Sequence, residues 1–295
     1  MAFIQDFAFL FDKRGGLLYN GLSGMEITEE TAMDDPDQNL KFTVPLADGP
    51  AVEAVFYGSG TLCVSSQAGC ALQCPFCASG SRGLLRNLSP EEMVLQLTAA
   101  IDRGFVPKRV TVSGIGEPLH NAGAVRAFMD LCRGQALPVS LTTTGSPLSV
   151  LREFLPMPHN GLMLSLHAGS AETHRRLIPR GPDYEQLWTL LGEVLPSCSR
   201  RRRRKIGINY LLLEGLNETD RELSPLVERL ENFPDLSVHL LTCNPVPGSL
   251  FRSPPPEKVA EIGALLTGRG CNVRMPNRWR NRAEGGCGTL FVQNV

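Results

Sequence analysis

From about residue 106 onward, the chain repeats one alternation of hydrophobic and polar positions. A short run rich in β-branched and apolar residues is followed by a longer stretch whose apolar residues recur every three or four positions, the pattern of a strand followed by an amphipathic helix. The runs at 109–113, 139–143, 162–166, 206–212, 237–241 and 272–275 predict six strands, and the stretches at about 122–133, 184–195, 218–232 and 256–267 predict helices between them. A further helix starts at Ser89-Pro90-Glu91-Glu92. A hydroxyl stands at its N-cap, proline at its first position and a carboxylate at its third, with Val94, Leu97 and Ile101 on one face. Such alternation predicts an α/β fold of βα units around a parallel sheet or barrel. Six rungs are fewer than the eight of a closed barrel, so an open-sided barrel is expected.

The N-terminal part follows another pattern. Residues 40–46 and 51–57 predict a two-stranded hairpin turning at Asp48-Gly49, preceded by residues 1–39, which are acidic and carry no clear period. The expected organisation is a short extension over 1–60 and a core over 61–295.

Composition narrows the class. With 295 residues, 42% hydrophobic and 20% charged, the chain is long enough for a sizeable core, and no apolar run approaches the ~18 residues of a membrane span. Asp6 interrupts the opening apolar stretch and basic residues follow it, which argues against a secretory signal. Nine cysteines, three of them between Cys70 and Cys77, point to metal or thiol chemistry in a reducing, cytoplasmic compartment and not to a disulfide framework. Net charge is −1, but the first sixty residues hold ten acids against three bases. Basic residues gather at 200–205 (RRRRRK) and across 269–282, where five arginines and no acid occur. Both stretches are candidate phosphate contacts, and Trp279 is a candidate for stacking on an unpaired base; each charge run is equally readable as a solvated face.

The sharpest signal is Cys70-Ala-Leu-Gln-Cys74-Pro-Phe-Cys77, set between Gly69 and Gly80. Three thiolates in eight residues can wrap one small cofactor. A four-iron cluster built for electron transfer takes four thiolates, so three leave one iron open to chelate a substrate. A structural zinc site recruiting Cys63 as fourth ligand is the alternative. The spacing, with an aromatic residue before the last cysteine, resembles the radical SAM superfamily, and Gly114-Ile115-Gly116-Glu117-Pro118 resembles its Gly-Glu motif. A closer resemblance is to the RlmN/Cfr-type RNA adenosine methyl synthases. It is carried by Cys63-Val-Ser-Ser-Gln-Ala-Gly-Cys70, Arg86-Asn87-Leu88, Gly114 to Pro118, Thr142-Thr143-Thr144-Gly145, Ser165-Leu166-His167, Asn244-Pro245 and Cys287-Gly288, in the family's order.

The resemblance implies a partial (β/α)6 barrel holding a 4Fe-4S cluster on Cys70, Cys74 and Cys77. It implies S-adenosyl-L-methionine against Gly116, Glu117, Thr142, Ser165, Leu166, His167 and Asn244, where Thr142 replaces a common serine and keeps the hydroxyl. It also implies an rRNA or tRNA substrate, a flavodoxin or ferredoxin-type electron donor and no membrane association. Adenine C2 lies between two ring nitrogens and is electron-poor, so it will not attack an electrophilic methyl group, whereas a thiolate will. By resemblance, Cys287 carries the methyl group, Cys63 resolves the protein–RNA adduct and pairs with Cys287 as a disulfide, and Glu53 accepts the ring proton. Two departures stand out. Fewer than about fifty net-acidic residues occupy the place of the family's N-terminal accessory domain. Around the carrier cysteine, Glu284-Gly285-Gly286-Cys287-Gly288-Thr289 replaces an alanine-containing lead-in and a glutamine. The alternatives are the same radical chemistry on another substrate, or a zinc-stabilised RNA-binding protein.

Overall fold

The computed structural model describes residues 39–282 and 285–294. The reading of residues 1–38 falls outside them. The predicted hairpin forms as β1 (Leu40–Pro45) and β2 (Pro50–Tyr57), antiparallel with Leu40 opposite Phe56. Then come β3 (Thr61–Val64), β4 (Gln67–Gly69), the cysteine loop and β5 (Leu84–Asn87), with β4 and β5 forming a separate two-stranded ribbon. Helix α1 (Pro90–Asp102) starts as predicted: Glu92 N donates to Ser89 Oγ at 3.2 Å, and Ser89 N donates back to Glu92 Oε2 at 2.9 Å. These reciprocal bonds satisfy two of the helix's orphan donors.

The βα units follow: β6 (Arg109–Val112), α2 (Ala122–Gly134), β7 (Val139–Thr143), α3 (Leu148–Phe154), β8 (Gly161–Ser165), α4 (Ala171–Leu177), α5 (Tyr184–Val194), α6 (Arg200–Arg203), β9 (Ile206–Leu212), α7 (Asp220–Leu230), β10 (Ser237–Thr242), α8 (Pro256–Gly268), β11 (Asn272–Arg274) and β12 (Gln293–Asn294). All six predicted strands are present. Strand β3 pairs parallel with β6 and opens the array, so the six strand–helix units of the expected partial barrel run from β3–α1 to β10–α8, and β11 adds a seventh parallel strand among the described residues. The loop 114–118 follows β6, the second parallel strand. Four residues between Gly60 and a glycine-bounded loop are too few to show a period. Helices α3, α4 and α6, each seven residues or fewer, escaped the sequence pattern for the same reason.

The sheet is an open arc ordered β1-β2-β3-β6-β7-β8-β9-β10-β11, with β12 paired to β2. Outward residues are apolar and buried under the helices: Val139 and Leu141 on β7, Leu162 and Leu164 on β8. Helix α2 meets them with Val125, Phe128, Met129 and Cys132, one face of a 3.6-residue period. Each large apolar side chain buried this way contributes about 1.5–3 kcal/mol. Many inward residues are small or polar: Thr111, Ser140, Thr142, Ser165, Asn209, Ser237 and His239 line chambers inside the arc, together with Met163, Leu211 and Leu241. A closed eight-stranded barrel fills that space with branched apolar side chains; this arc is hollow. No described helix is long and apolar enough to cross a membrane.

Candidate active site

The cysteine loop is shaped by local backbone requirements. Gly69 has φ +84°, and a Cβ there would lie 2.1 Å from the Gly83 carbonyl oxygen; Gly80 packs so closely that a Cβ would meet Gln73 Cα at 2.7 Å. Cys70 N donates to Gly83 O at 2.9 Å and Cys77 N to Cys74 O at 3.0 Å, coiling the loop so that all three thiols face one chamber of about 150 Å³. Burial pushes all three thiols up, Cys70 to about 11, and each of Cys70 and Cys74 is raised further by the charge of a neighbouring loop thiol. Three thiols so placed hold their negative charge only beside a cationic partner, which an iron–sulfur cluster supplies, so the donor set fits that group. Among the described residues, no three ligating groups converge tightly enough for a single ion.

The opposite wall comes from strand ends. Gly116 has φ +107°, and a Cβ would strike Gln67 Cβ at 2.6 Å. The Gln67 amide fixes this loop, accepting from Glu117 N at 2.8 Å and donating to Asn87 Oδ1 at 2.7 Å. Glu117 is buried, and its carboxylate accepts from Thr143 Oγ1, Leu119 N (3.1 Å), Thr144 N (2.8 Å) and Thr144 Oγ1 (2.9 Å). A carboxylate has about four lone-pair sites. All four are taken, so Glu117 ties the loop after β6 to the loop after β7. Burial raises its pKa while these donors pull against that rise.

His167 has φ +59° and is fixed from two sides. Leu211 N donates to its Nδ1 at 3.0 Å, which puts the ring proton on Nε2, and Asn217 Nδ2 donates to its carbonyl at 2.8 Å. The ring meets Phe76 edge-on at 5.3 Å. Burial drives its pKa down to about 3, so the imidazole is neutral at physiological pH. The next loop residues are held by Glu222, whose carboxylate accepts from Gly169 N (2.7 Å), Ser170 N (3.1 Å), Ser170 Oγ (2.7 Å) and Thr173 Oγ1 (2.7 Å).

The C-terminal segment 285–294 crosses from the β11 side of the arc to β2. It is stitched to the cysteine loop by Ala78 N donating to Gly288 O (2.8 Å) and Ser79 Oγ to Leu290 O (2.7 Å). Asn244 Nδ2 donates to Cys287 O at 3.0 Å and to Arg280 O at 2.9 Å, fixing the segment from below. The unusual glycines have a steric cause. A Cβ on Gly286 would lie 2.4 Å from Arg282 O and 2.5 Å from Asn244 Nδ2, and one on Gly285 would lie 2.6 Å from Val55 Cγ2. Cys287 thus enters the chamber of the three thiols, with Arg280 Nη1 3.8 Å from its Sγ. Cys63 lies behind the chamber wall on β3, 2% exposed, its Sγ 3.3 Å from Ser113 Oγ, and burial pushes its thiol up.

Ten of the thirteen residues singled out in the sequence line one chamber: Cys70, Cys74, Cys77, Gly116, Glu117, Thr142, Ser165, His167, Asn244 and Cys287. Cys63 borders it. Leu166 is fully buried in the hydrophobic core and does not line the chamber. Glu53, also fully buried, lies under the C-terminal segment, accepting from Lys41 Nζ (3.1 Å), Phe291 N (3.1 Å) and Gln293 Nε2 (2.9 Å).

A family model for the radical SAM superfamily matches residues 64–230. A probable RNA methyltransferase of Pseudomonas aeruginosa is 34% identical over 86% of this chain and 73% of its own length. A dual-specificity RNA methyltransferase RlmN of Halorhodospira halophila is 32% identical over 86% of this chain and 73% of its own. The chain belongs to the RlmN-type radical SAM RNA methyltransferases. The crystal structure of a radical SAM methyltransferase from Sphaerobacter thermophilus superposes with a TM-score of 0.74 at 27% identity, covering 88% of this chain and 79% of that one. SuiB of Streptococcus suis bound to S-adenosylmethionine, 16% identical with a TM-score of 0.56 over 73% of this chain and 49% of its own, shares the fold.

Membership in the RlmN-type family implies an RNA substrate, S-adenosylmethionine and a four-iron cluster, and replaces the reading of a zinc-stabilised RNA-binding protein. Several residues of this RlmN-type site were not singled out in the sequence: Gln67, Thr143, Thr144, Asn209, Asn217, Glu222 and Arg280. Gln67, Thr143 and Thr144 stood inside quoted motifs, and Arg280 inside the basic stretch 269–282. Asn209, Asn217 and Glu222 act through hydrogen bonds to the segment 166–173, about fifty residues away in sequence, for which no local pattern exists. The expectation for Trp279 is corrected: the residue is 9% exposed, with Arg278 and Arg282 guanidinium groups 4.4 and 5.4 Å from its ring centroid, leaving little surface for a base.

Proposed function

We propose that the chain methylates a ring carbon of an RNA adenosine, C2 in rRNA or tRNA, by way of a methyl group carried on Cys287. The observation that carries this reading is the shared chamber: Cys287 faces the same space as Cys70, Cys74 and Cys77, and a second thiol, Cys63, is buried on the adjoining strand. Cys70, Cys74 and Cys77 hold the cluster. When bound, the cluster and S-adenosylmethionine supply a radical able to draw hydrogen from a methylthioether. Gly116, Thr142, Ser165, His167 and Asn244 bound the space for S-adenosylmethionine, with neutral His167 offering an Nε2–H donor and Glu117 holding the loops in place.

The sulfur of Cys287 accepts a methyl group by displacement, which an electron-poor adenine carbon cannot do. Arg280 puts a fixed positive charge beside that sulfur. Carbon–carbon bond formation tethers the base to Cys287; the adduct would then lose the ring proton and one electron, the electron going to the bound cluster. Attack by the Cys63 thiolate on the Cys287 sulfur breaks the carbon–sulfur bond, so that the released carbon takes up a proton as the new methyl group and a disulfide remains. For Glu53 the hydrogen bonds support an anchoring role, and proton removal from the base would require the segment above it to lift. A flavodoxin or ferredoxin-type electron donor and a cytoplasmic location belong to the same reading.

The test uses reconstituted protein, methyl-labelled S-adenosylmethionine and RNA, with mass spectrometry of both protein and nucleosides. Label is expected on Cys287 first and on adenosine afterwards, and Cys63→Ala should accumulate a covalent RNA–protein adduct. Methylated RNA formed at the wild-type rate by Cys287→Ala would defeat the carrier mechanism.

A further inference from the structure

A second chamber, of about 420 Å³, opens at the other end of the arc, around the N-terminal ends of the parallel strands. Its volume falls in the ~300–1,000 Å³ range of ligand pockets. It meets the upper chamber at a layer made by Thr142, Asn209, Leu241 and Arg280, which line both. Four permanent cations line it, Arg109, Arg204, Lys205 and Arg280, and no Asp or Glu does. Its fifth basic group, His239, is neutral: burial and the nearby arginines drive its pKa down to about 4.

The basic run 200–205 divides at this point. Arg200 and Arg203 are neutralised by Asp235 at 3.2 and 2.8 Å, and Arg202 donates to the His159 carbonyl at 3.0 Å. Among the described residues, no carboxylate pairs with Arg204, Lys205 or Arg109. These three therefore present uncompensated charge at the mouth of a cavity whose inner end reaches the guanidinium beside Cys287. At the upper end the cysteine loop and the C-terminal segment are joined by the Ala78–Gly288 and Ser79–Leu290 hydrogen bonds.

Resting on the proposed RNA reaction, we infer that the substrate strand enters through this lower chamber. Arg109, Arg204 and Lys205 hold the backbone phosphates at the mouth, and the target base passes up to the Thr142–Asn209–Arg280 layer. Phosphate contacts of this kind fix position without reading sequence, and each one releases counterions on binding.

The experiment measures binding of a short single-stranded, adenosine-containing oligoribonucleotide by fluorescence anisotropy between ~50 and ~200 mM salt. For a single strand, each neutralised phosphate contributes about 0.7 to the slope of log K against log salt. The triple variant Arg109→Gln, Arg204→Gln, Lys205→Gln is expected to lower that slope by about 2 while keeping the wild-type unfolding midpoint and affinity for S-adenosylmethionine. Arg200→Gln, at an arginine already paired with Asp235, should leave the slope unchanged. RNA bound by wild type with the same slope in the triple variant, or a loss at Arg200 equal to that at the mouth, overturns this entry route and leaves the proposed reaction standing. A wild-type protein that binds no RNA even at ~50 mM salt sinks the RNA reading and this inference with it.

Discussion

Replacing Glu53 by glutamine tests how the C-terminal segment is held over the chamber. The carboxylate is fully buried and accepts three hydrogen bonds, two of them from Phe291 N and Gln293 Nε2 on the segment. Glutamine keeps one oxygen and turns an NH₂ group towards the remaining donors, so at least one buried donor loses its acceptor. Each such loss costs about 1–3 kcal/mol. The Lys41 pair adds less than about 1 kcal/mol, because the lysine side chain is 34% exposed. The Lys41 pair joins β1 to β2, so the part that falls on the segment is the lost acceptor alone, about 1–3 kcal/mol. Opening of the segment is then roughly 5- to 150-fold more frequent. Hydrogen exchange at the Phe291 amide and alkylation of Cys287 by iodoacetamide both read this opening, and both should accelerate in Glu53→Gln by a factor in that range. If both rates stay at wild-type values while RNA methylation is lost, Glu53 acts only in proton transfer and the anchoring argument is wrong.

Gly286→Ala should force the loop off Asn244 or Arg282, an overpacking cost of about 1–3 kcal/mol. Mass spectrometry of the Cys287 peptide is expected to show slower methylation, and a wild-type rate would refute the steric account of the Gly-Gly lead-in. Stability should also fall with acid. Burial holds His159 and His174 down at about 4, below the ~6.5 of an unfolded chain, so the unfolded state binds more protons in between. Their contribution is complete above about pH 6.5 and is lost as pH falls towards 4, amounting to about 2 kcal/mol for each by pH 5. Urea unfolding between pH 7 and pH 5 checks this, and a profile as flat for wild type as for His174→Gln would contradict it.

Much of the barrel was legible in the chain itself. Strands β6 to β11 and the larger helices announce themselves through period, and α1 through its capping box, because a buried face and a satisfied helix end are local constraints on residue type. The cysteine spacing likewise carried its chemistry on the surface, since three thiols so close in sequence have few other uses. What tertiary structure alone decided is of another kind. It made β3 a barrel strand, gave Glu117 four donors from two loops, set Glu53 beneath the C-terminal segment, and divided the arginine run into paired and unpaired members. Each of these outcomes depends on a partner tens to hundreds of residues away. A hydrogen bond or an ion pair becomes definite only when the arc brings both halves together, whereas hydrophobic period is written along a single stretch of chain.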